Sequence, residues 1–203
     1  MPTGSNPYKL YGFTMSPFSM KMRTYFRYRR IPFQWISGEH ANRVAQTKVE
    51  TYMVPVLERP DGTFKNDSTL LIDELEDTAS QRRTTPDNEA DAFLAALIED
   101  FMDEWLLWPM FAYRWRTDED RLHNSKWIIY ENFGGNASNP AFQQMSQFWA
   151  DRQVTGMDLL CGELSKDTVR ELSPELKALV GYSIYPPFMG MVDGKHPLRL
   201  LEH

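Results

Sequence analysis

Cysteine is almost missing from this 203-residue chain: Cys161 stands alone. One cysteine excludes an internal disulfide and any two-cysteine metal site, and it suits a reducing compartment. It also argues against thiol–disulfide exchange carried by the protein's own sulfurs. Histidine is scarce too. The four, His40, His123, His196 and His203, lie in separate segments without metal-ligand spacing, so no metal is assigned. No apolar run approaches the roughly 18 residues that a membrane-crossing helix needs. The opening "MPTGSNP" lacks the basic and apolar parts of a signal peptide, and the closing "LEH" (201–203) reads as a cloning scar. An excess of positive charge is absent as well: 22 Lys+Arg stand against 28 Asp+Glu, a net −6. That balance argues against non-specific binding to nucleic acid. The expectation is a cytoplasmic protein with neither membrane nor nucleic acid as partner.

What is present fits a globular chain, with 42% hydrophobic and 25% charged residues. Charge is unevenly spread. Residues 1–83 hold 12 Lys+Arg and 9 Asp+Glu, about +3, leaving 10 and 19, about −9, for the rest. The change of sign near residue 84 fits a domain boundary. Before it the hydrophobic period changes repeatedly. "YKLYGF" reads as a strand and Pro17 onward as a helix with Phe18, Met22, Tyr25, Phe26 and the stem of Arg29 on one face, ended by Pro32. "FQWI" reads as a second strand, Gly38 to Tyr52 as weakly helical, and "VPVLER-PDG-TFKN" as a hairpin. "NDSTLLIDELEDTA" reads as a helix, which completes the order β-α-β-α-β-β-α. "QRRTTPDN" is polar and apolar-free, a linker. Beyond it Phe93, Leu94, Leu97, Ile98, Phe101, Met102 and Trp105 form one continuous apolar face, and Pro109 is expected to kink or end that helix. Further helices are expected near 118–132, 140–154 and 165–180, with "YPPFMGMVDGKHP" (185–197) irregular.

Three constellations carry chemistry, and each has an ordinary reading beside the functional one. Ser16-Pro17-Phe18-Ser19 opens a helix after a strand, so Ser16 is a helix cap. A hydroxyl there can also donate to a bound thiolate and favour its charged form. Val54-Pro55 starts a strand, as an ordinary trans edge proline or as a cis one that presents the Val54 backbone to a ligand. Asp67-Ser68 starts another helix, as simple capping or as a cradle for a ligand carboxylate. The basic residues Lys21, Arg23, Arg27, Arg29 and Arg30 read as a solvated helix face, and "WLLWPMFAYRW" (105–115) reads mostly as core.

Taken together, "SPFSMKMR" after a strand, "MVPVLERPDG" and "NDSTLLIDELE" resemble the glutathione S-transferase family in order and spacing over residues 8–80. The resemblance implies a thioredoxin-like domain (1–81), a linker (82–88) and an all-helical domain (89–203), short for the family and paired as a homodimer. By that likeness Ser16 hydrogen-bonds the glutathione sulfur, with Tyr11 as a weaker candidate near the end of the first strand. Val54, before a cis Pro55, pairs its backbone with the cysteinyl part, and Asp67 and Ser68 hold the γ-glutamyl end. Met53 stands where many relatives carry Lys or Gln, and Lys48 could reach the site in its place. Phe18, Trp105, Trp108 and Tyr113 would wall a pocket for a small apolar electrophile. Glutathione is then the co-substrate of conjugation or of hydroperoxide reduction; the alternative is a silent binding or assembly module on the same fold. The helical part offers Thr155-Gly156-Met157-Asp158 as the letters of the family's capping box.

Overall fold

The computed structural model describes residues 6–78 and 82–161, with side chains as far as Val154. The helix expected at 165–180, the irregular 185–197 stretch, the 201–203 tail and the side chains of the 155–158 box lie outside the described residues. By contact the chain divides into two compact units. The first runs to Ala96 and takes in Tyr130–Ala137; the second comprises Leu97–Ile129 and the chain from Ser138.

In the first unit β1 (Tyr8–Tyr11), β2 (Phe33–Ile36), β3 (Val56–Glu58) and β4 (Phe64–Asn66) form a four-stranded sheet in the order β2-β1-β3-β4. β1 and β2 are parallel, as a crossover through α1 (Pro17–Arg29) requires, and β3 runs antiparallel to both β1 and β4. The order with α2 (Gly38–Lys48) and α3 (Ser68–Glu76) is the βαβαββα read from the sequence. Alternation along each strand sorts the core into two faces. Leu10 and its partner Leu57 join Met22, Tyr25, Phe26, Leu71 and Leu75 beneath α1 and α3. Tyr11 and its partner Val56 join Ala41, Val44 and Ala45 beneath α2.

Local chemistry sets the joints. Gly12 follows β1, where a Cβ would sit 2.5 Å from the Ser19 hydroxyl oxygen, so only glycine fits. Arg30 ends α1 in the left-handed region, φ 57°, and donates back to Phe26 and Arg27 carbonyls. At the β3–β4 turn the Asp61 carboxylate accepts from the Thr63 N–H (2.9 Å) and hydroxyl (2.7 Å), and Gly62 takes φ 84°.

The linker segment is more than a spacer. Its Thr84 and Thr85 N–H groups donate to the Glu76 carboxylate, and Arg82 stacks over the Tyr28 ring at 4.6 Å. The expected solvated face of α1 also needs revision. Arg29 is 6% exposed and ion-paired to Glu76, and Arg23 lies over the Trp35 ring at 5.0 Å. Only the Arg29 stem was needed for helical periodicity; its charged end found a partner far along the chain.

Beyond the linker the helical pattern holds with shifted boundaries. α4 (Glu89–Asp100) continues as a π-helical turn, Phe101–Trp105, before α5 (Leu107–Trp115). The break precedes Pro109 instead of falling on it. Pro109 has no N–H to return to the preceding turn, and the wider loop is closed by Leu106 N–H donating to Phe101 O at 3.1 Å. α6 spans Asp118–Asn132 as expected, and α7 runs Phe142–Cys161, longer than the 140–154 stretch. The 105–115 aromatic segment is only partly core: Leu106, Met110, Ala112 and Trp115 are buried, whereas Trp105 and Trp108 are exposed. Among the described residues no helix is long and apolar enough to cross a membrane.

Candidate functional site

Ser16 is the N-cap of α1, and Pro17 takes the first helical position. Its hydroxyl oxygen accepts from the Ser19 N–H at 3.2 Å, so the residue is a cap in the ordinary sense. Among the described residues its own O–H proton has no protein acceptor. The half-buried hydroxyl therefore keeps a free donor at the positive end of the helix dipole. Ser19 is fully buried, its oxygen turned to the Phe13 N–H at 3.4 Å, which withdraws it from any ligand.

Tyr11 is drawn away from the role considered for it. It is 4% exposed, its hydroxyl donates to Glu58, and Glu58 also takes Lys9 at 2.8 Å. Burial first, then the hydrogen bond to and charge of Glu58, push the phenol above its usual range. A phenol engaged by a carboxylate is a poor donor to a thiolate.

The Val54–Pro55 peptide is cis, the alternative that the resemblance implied; Pro55 is fully buried and Val54 half-buried. Asp67 caps α3, its carboxylate accepting from Thr69 N–H (3.1 Å) and Leu70 N–H (3.3 Å). It does so with φ 78° and ψ 105°, a backbone conformation that costs about 1–3 kcal/mol in a non-glycine residue. Ser68 is 6% exposed. Two of the helix N–H groups that a ligand carboxylate could use are thus taken by Asp67 itself. Met53 is exposed, and the Lys48 ammonium lies over the Phe64 ring at 5.5 Å. Of the pocket residues, half-buried Phe18 belongs to the first unit and Trp105, Trp108 and half-buried Tyr113 to the second. Burial pushes the Tyr113 phenol up. Among the described residues no group of three or more His, Cys, Asp or Glu is placed to hold a metal ion.

Residues 10–83 match the family model for the glutathione S-transferase N-terminal domain. This part of the chain is similar to the N-terminal domain of glutathione S-transferases. No match was found among curated protein sequences. Solved structures similar to the chain include a glutathione S-transferase from Rhodospirillum rubrum F11, 16% identical over 88% of this chain and 90% of that one, with a TM-score of 0.48. A tau-class glutathione S-transferase from mango, Mangifera indica, is 13% identical over 89% of this chain and all of that one (100%), with a TM-score of 0.47. Glutaredoxin 2 from Salmonella typhimurium in complex with glutathione is 21% identical over 86% and 85%, with a TM-score of 0.38.

Two carboxylates of the first unit escaped the sequence reading. Glu76 is buried with Arg29, and Glu131 accepts from the Thr14 N–H and hydroxyl just ahead of Ser16. Glu76 is only the last letter of "NDSTLLIDELE", and Glu131 sits in no motif. Their partners are 47 and 117 residues away, beyond the reach of any local pattern.

Proposed function

We propose that the protein is a glutathione transferase in which Ser16 holds the glutathione sulfur as a thiolate. The observation that supports this reading is the Ser16 hydroxyl. Its oxygen is fixed by the Ser19 N–H while its proton is uncommitted, at the N-terminus of a helix. Hydrogen bonding to the charged form of a thiol lowers its pKa, so bound glutathione loses its proton to water near neutral pH. In conjugation the thiolate sulfur attacks an electrophilic carbon, an S–C bond forms, and the leaving group departs with its electron pair. With an organic hydroperoxide the sulfur attacks the terminal oxygen. The O–O bond breaks, an alkoxide leaves and takes a proton, and a second glutathione reduces the sulfenic acid to disulfide and water. Val54 would pair its backbone with the cysteinyl part, and Asp67 and Ser68 would receive the γ-glutamyl end, with Lys48 nearby. Trp105, Trp108 and Tyr113 would meet an apolar electrophile.

The homodimer belongs to the same proposal. Phe93, Leu94, Leu97 and Ile98 are all more than half exposed along α4, and Phe101 and Trp105 beyond it are exposed too. Faces of this kind are rarely left to water in a folded protein. Light scattering after size exclusion is expected to give twice the monomer mass, and Leu97→Glu with Ile98→Glu to return it to one.

A second reading has one observation in its favour. Asp67 already occupies the Thr69 and Leu70 N–H groups, as it would in a site that no longer binds a ligand carboxylate. A binding or assembly module on the same fold would look like this. Ser16→Ala decides. The transferase reading expects calorimetric binding of reduced glutathione in the wild type and a loss of about 10²-fold or more in conjugation for the variant. Absence of glutathione binding by the folded wild type, or full activity of the variant, would sink it.

A further inference from the structure

Thr14, two residues before Ser16, is bonded to a distant point of the chain. Glu131 lies in the last turn of α6, and its carboxylate accepts from the Thr14 N–H at 3.1 Å and 3.0 Å. The Thr14 hydroxyl donates to the same carboxylate at 2.8 Å. Thr14 sits in the β1–α1 connection, two residues before Ser16. The Ser37 side chain also donates to Glu131. Ser37 occupies the N-cap position of α2 yet makes no side-chain capping bond. A serine there usually contributes about 1 kcal/mol by capping, and here the hydroxyl is turned to Glu131 instead.

Because β1 and β2 are parallel neighbours, the loops that follow them leave the sheet at the same end. Glu131 ties the two loops together there. The α6 backbone comes equally close: a Cβ on Gly38, φ 76°, would sit 2.7 Å from the Glu131 carbonyl oxygen. Arg23 of α1 is the charged group that faces the carboxylate, its guanidinium stacked on Trp35. The enclosing protein pushes the Glu131 carboxyl up, and the Thr14 and Ser37 bonds and the Arg23 charge pull against it.

The geometry points to Glu131 as a positioning residue for Ser16: it clamps the β1–α1 connection so that the serine hydroxyl is set at a fixed place relative to the glutathione sulfur. This rests on the transferase reading above. Glu131 touches no reacting atom. Its effect passes through the Thr14 N–H and hydroxyl into the first turn of α1, and a sub-ångström release of that turn weakens the hydrogen bond to the thiolate.

The test is a double-mutant cycle between Glu131→Ala and Ser16→Ala, read by conjugation of a chlorodinitrobenzene across pH and by calorimetry with reduced glutathione. Glu131→Ala is expected to lower kcat/KM about tenfold, to shift its pH profile toward higher pH, and to leave the glutathione Kd within about threefold. In the Ser16→Ala background the same substitution is expected to change neither quantity further. Glu131→Gln, which keeps one acceptor, is expected to fall between. Should Glu131→Ala fail to fold, Thr14→Val removes the hydroxyl bond alone and must move the pH profile in the same direction. A wild-type pH profile in Glu131→Ala, or in Thr14→Val where that stands in for it, overturns the proposal, as does an undiminished effect in the Ser16→Ala background. The two readings fail separately. A silent Ser16→Ala sinks the role of the serine, whereas a damaging Ser16→Ala beside a silent Glu131→Ala sinks only the clamp.

Discussion

Two carboxylates in the first unit meet nearly the same donors and end in opposite states. Glu76, at the end of α3, accepts from the N–H (3.0 Å) and hydroxyl (2.9 Å) of Thr84. Glu131, at the end of α6, accepts from the N–H and hydroxyl of Thr14 at matching distances. The surroundings differ. Glu76 also has the Thr85 N–H at 3.2 Å, the Tyr25 hydroxyl at 3.0 Å and a direct ion pair with Arg29. Burial alone would raise its pKa, but these bonds hold the carboxyl down to about 2. For Glu131 burial wins, and its carboxyl stays above the ordinary value. At Glu131 the Thr14 and Ser37 bonds and the Arg23 charge do not offset desolvation, whereas at Glu76 the fuller set of donors and the Arg29 ion pair do. The first arrangement locks α1, α3 and the chain beyond into one body. The second, beside Ser16, is poised.

The largest effect comes from breaking the stronger member. Arg29→Ala leaves Glu76 buried without its cation and is expected to destabilise by about 3–5 kcal/mol in urea unfolding. The double variant Arg29→Met with Glu76→Gln should recover most of that loss. A loss of the same size in the double variant would mean that packing, and not the uncompensated charge, carries the effect. Next in size is the acid limb. The pKa of Glu76 is depressed in the folded state, so its stabilisation is present above the ordinary carboxyl value and disappears as pH falls toward about 2. Over that window it contributes on the order of 3 kcal/mol. The stability gap between wild type and Glu76→Gln should therefore close as pH is lowered, and a gap independent of pH would contradict the assignment.

The same contrast shows what one sequence discloses. Met22, Tyr25 and Phe26 followed from the period of α1, because a period reports which side of its own element a residue faces. Ser16 and Asp67 were legible as caps, because a cap acts within three residues. Glu76 and Glu131 were not, since each bonds to groups that only the tertiary fold brings near. Arg29 shows the boundary within a single side chain: its stem kept the helical period, and its guanidinium answered to Glu76, 47 residues on. In the 105–115 segment, read mostly as core with Trp105 and Trp108 as candidate pocket walls, both of these tryptophans are exposed.

Gly38 sharpens the weaker side of the comparison. It adopts φ 76° with the Glu131 carbonyl at 2.7 Å from an added Cβ, so Gly38→Ala meets both backbone strain and a clash with backbone. The expected loss is about 1–3 kcal/mol, and activity should fall with it if the α2 entrance and the Glu131 clamp move together. Gly62→Ala is the control. It carries the same kind of φ, 84°, with nothing within 4 Å, so strain alone should destabilise it and activity per folded molecule should stay unchanged.

The smallest effect is also the one whose sign separates the two carboxylates. Glu131 has a raised pKa when folded, so the folded protein holds that proton more tightly than the unfolded chain does. Its contribution is then fully present below the ordinary carboxyl value and is lost as pH rises through the raised one, the reverse of Glu76. Glu131→Gln keeps the shape and cannot titrate. The stability advantage of wild type over this variant should shrink as pH is raised from about 4 toward neutrality, while the Glu76→Gln gap over the same range stays open. Arg23 is the cation that faces Glu131, and it works against the raised value. Arg23→Met should therefore move the shrinkage to higher pH. Were both gaps to run in the same direction, the difference between a locked and a poised carboxylate would be lost, and the Thr14 contacts would have to be read as an ordinary loop anchor.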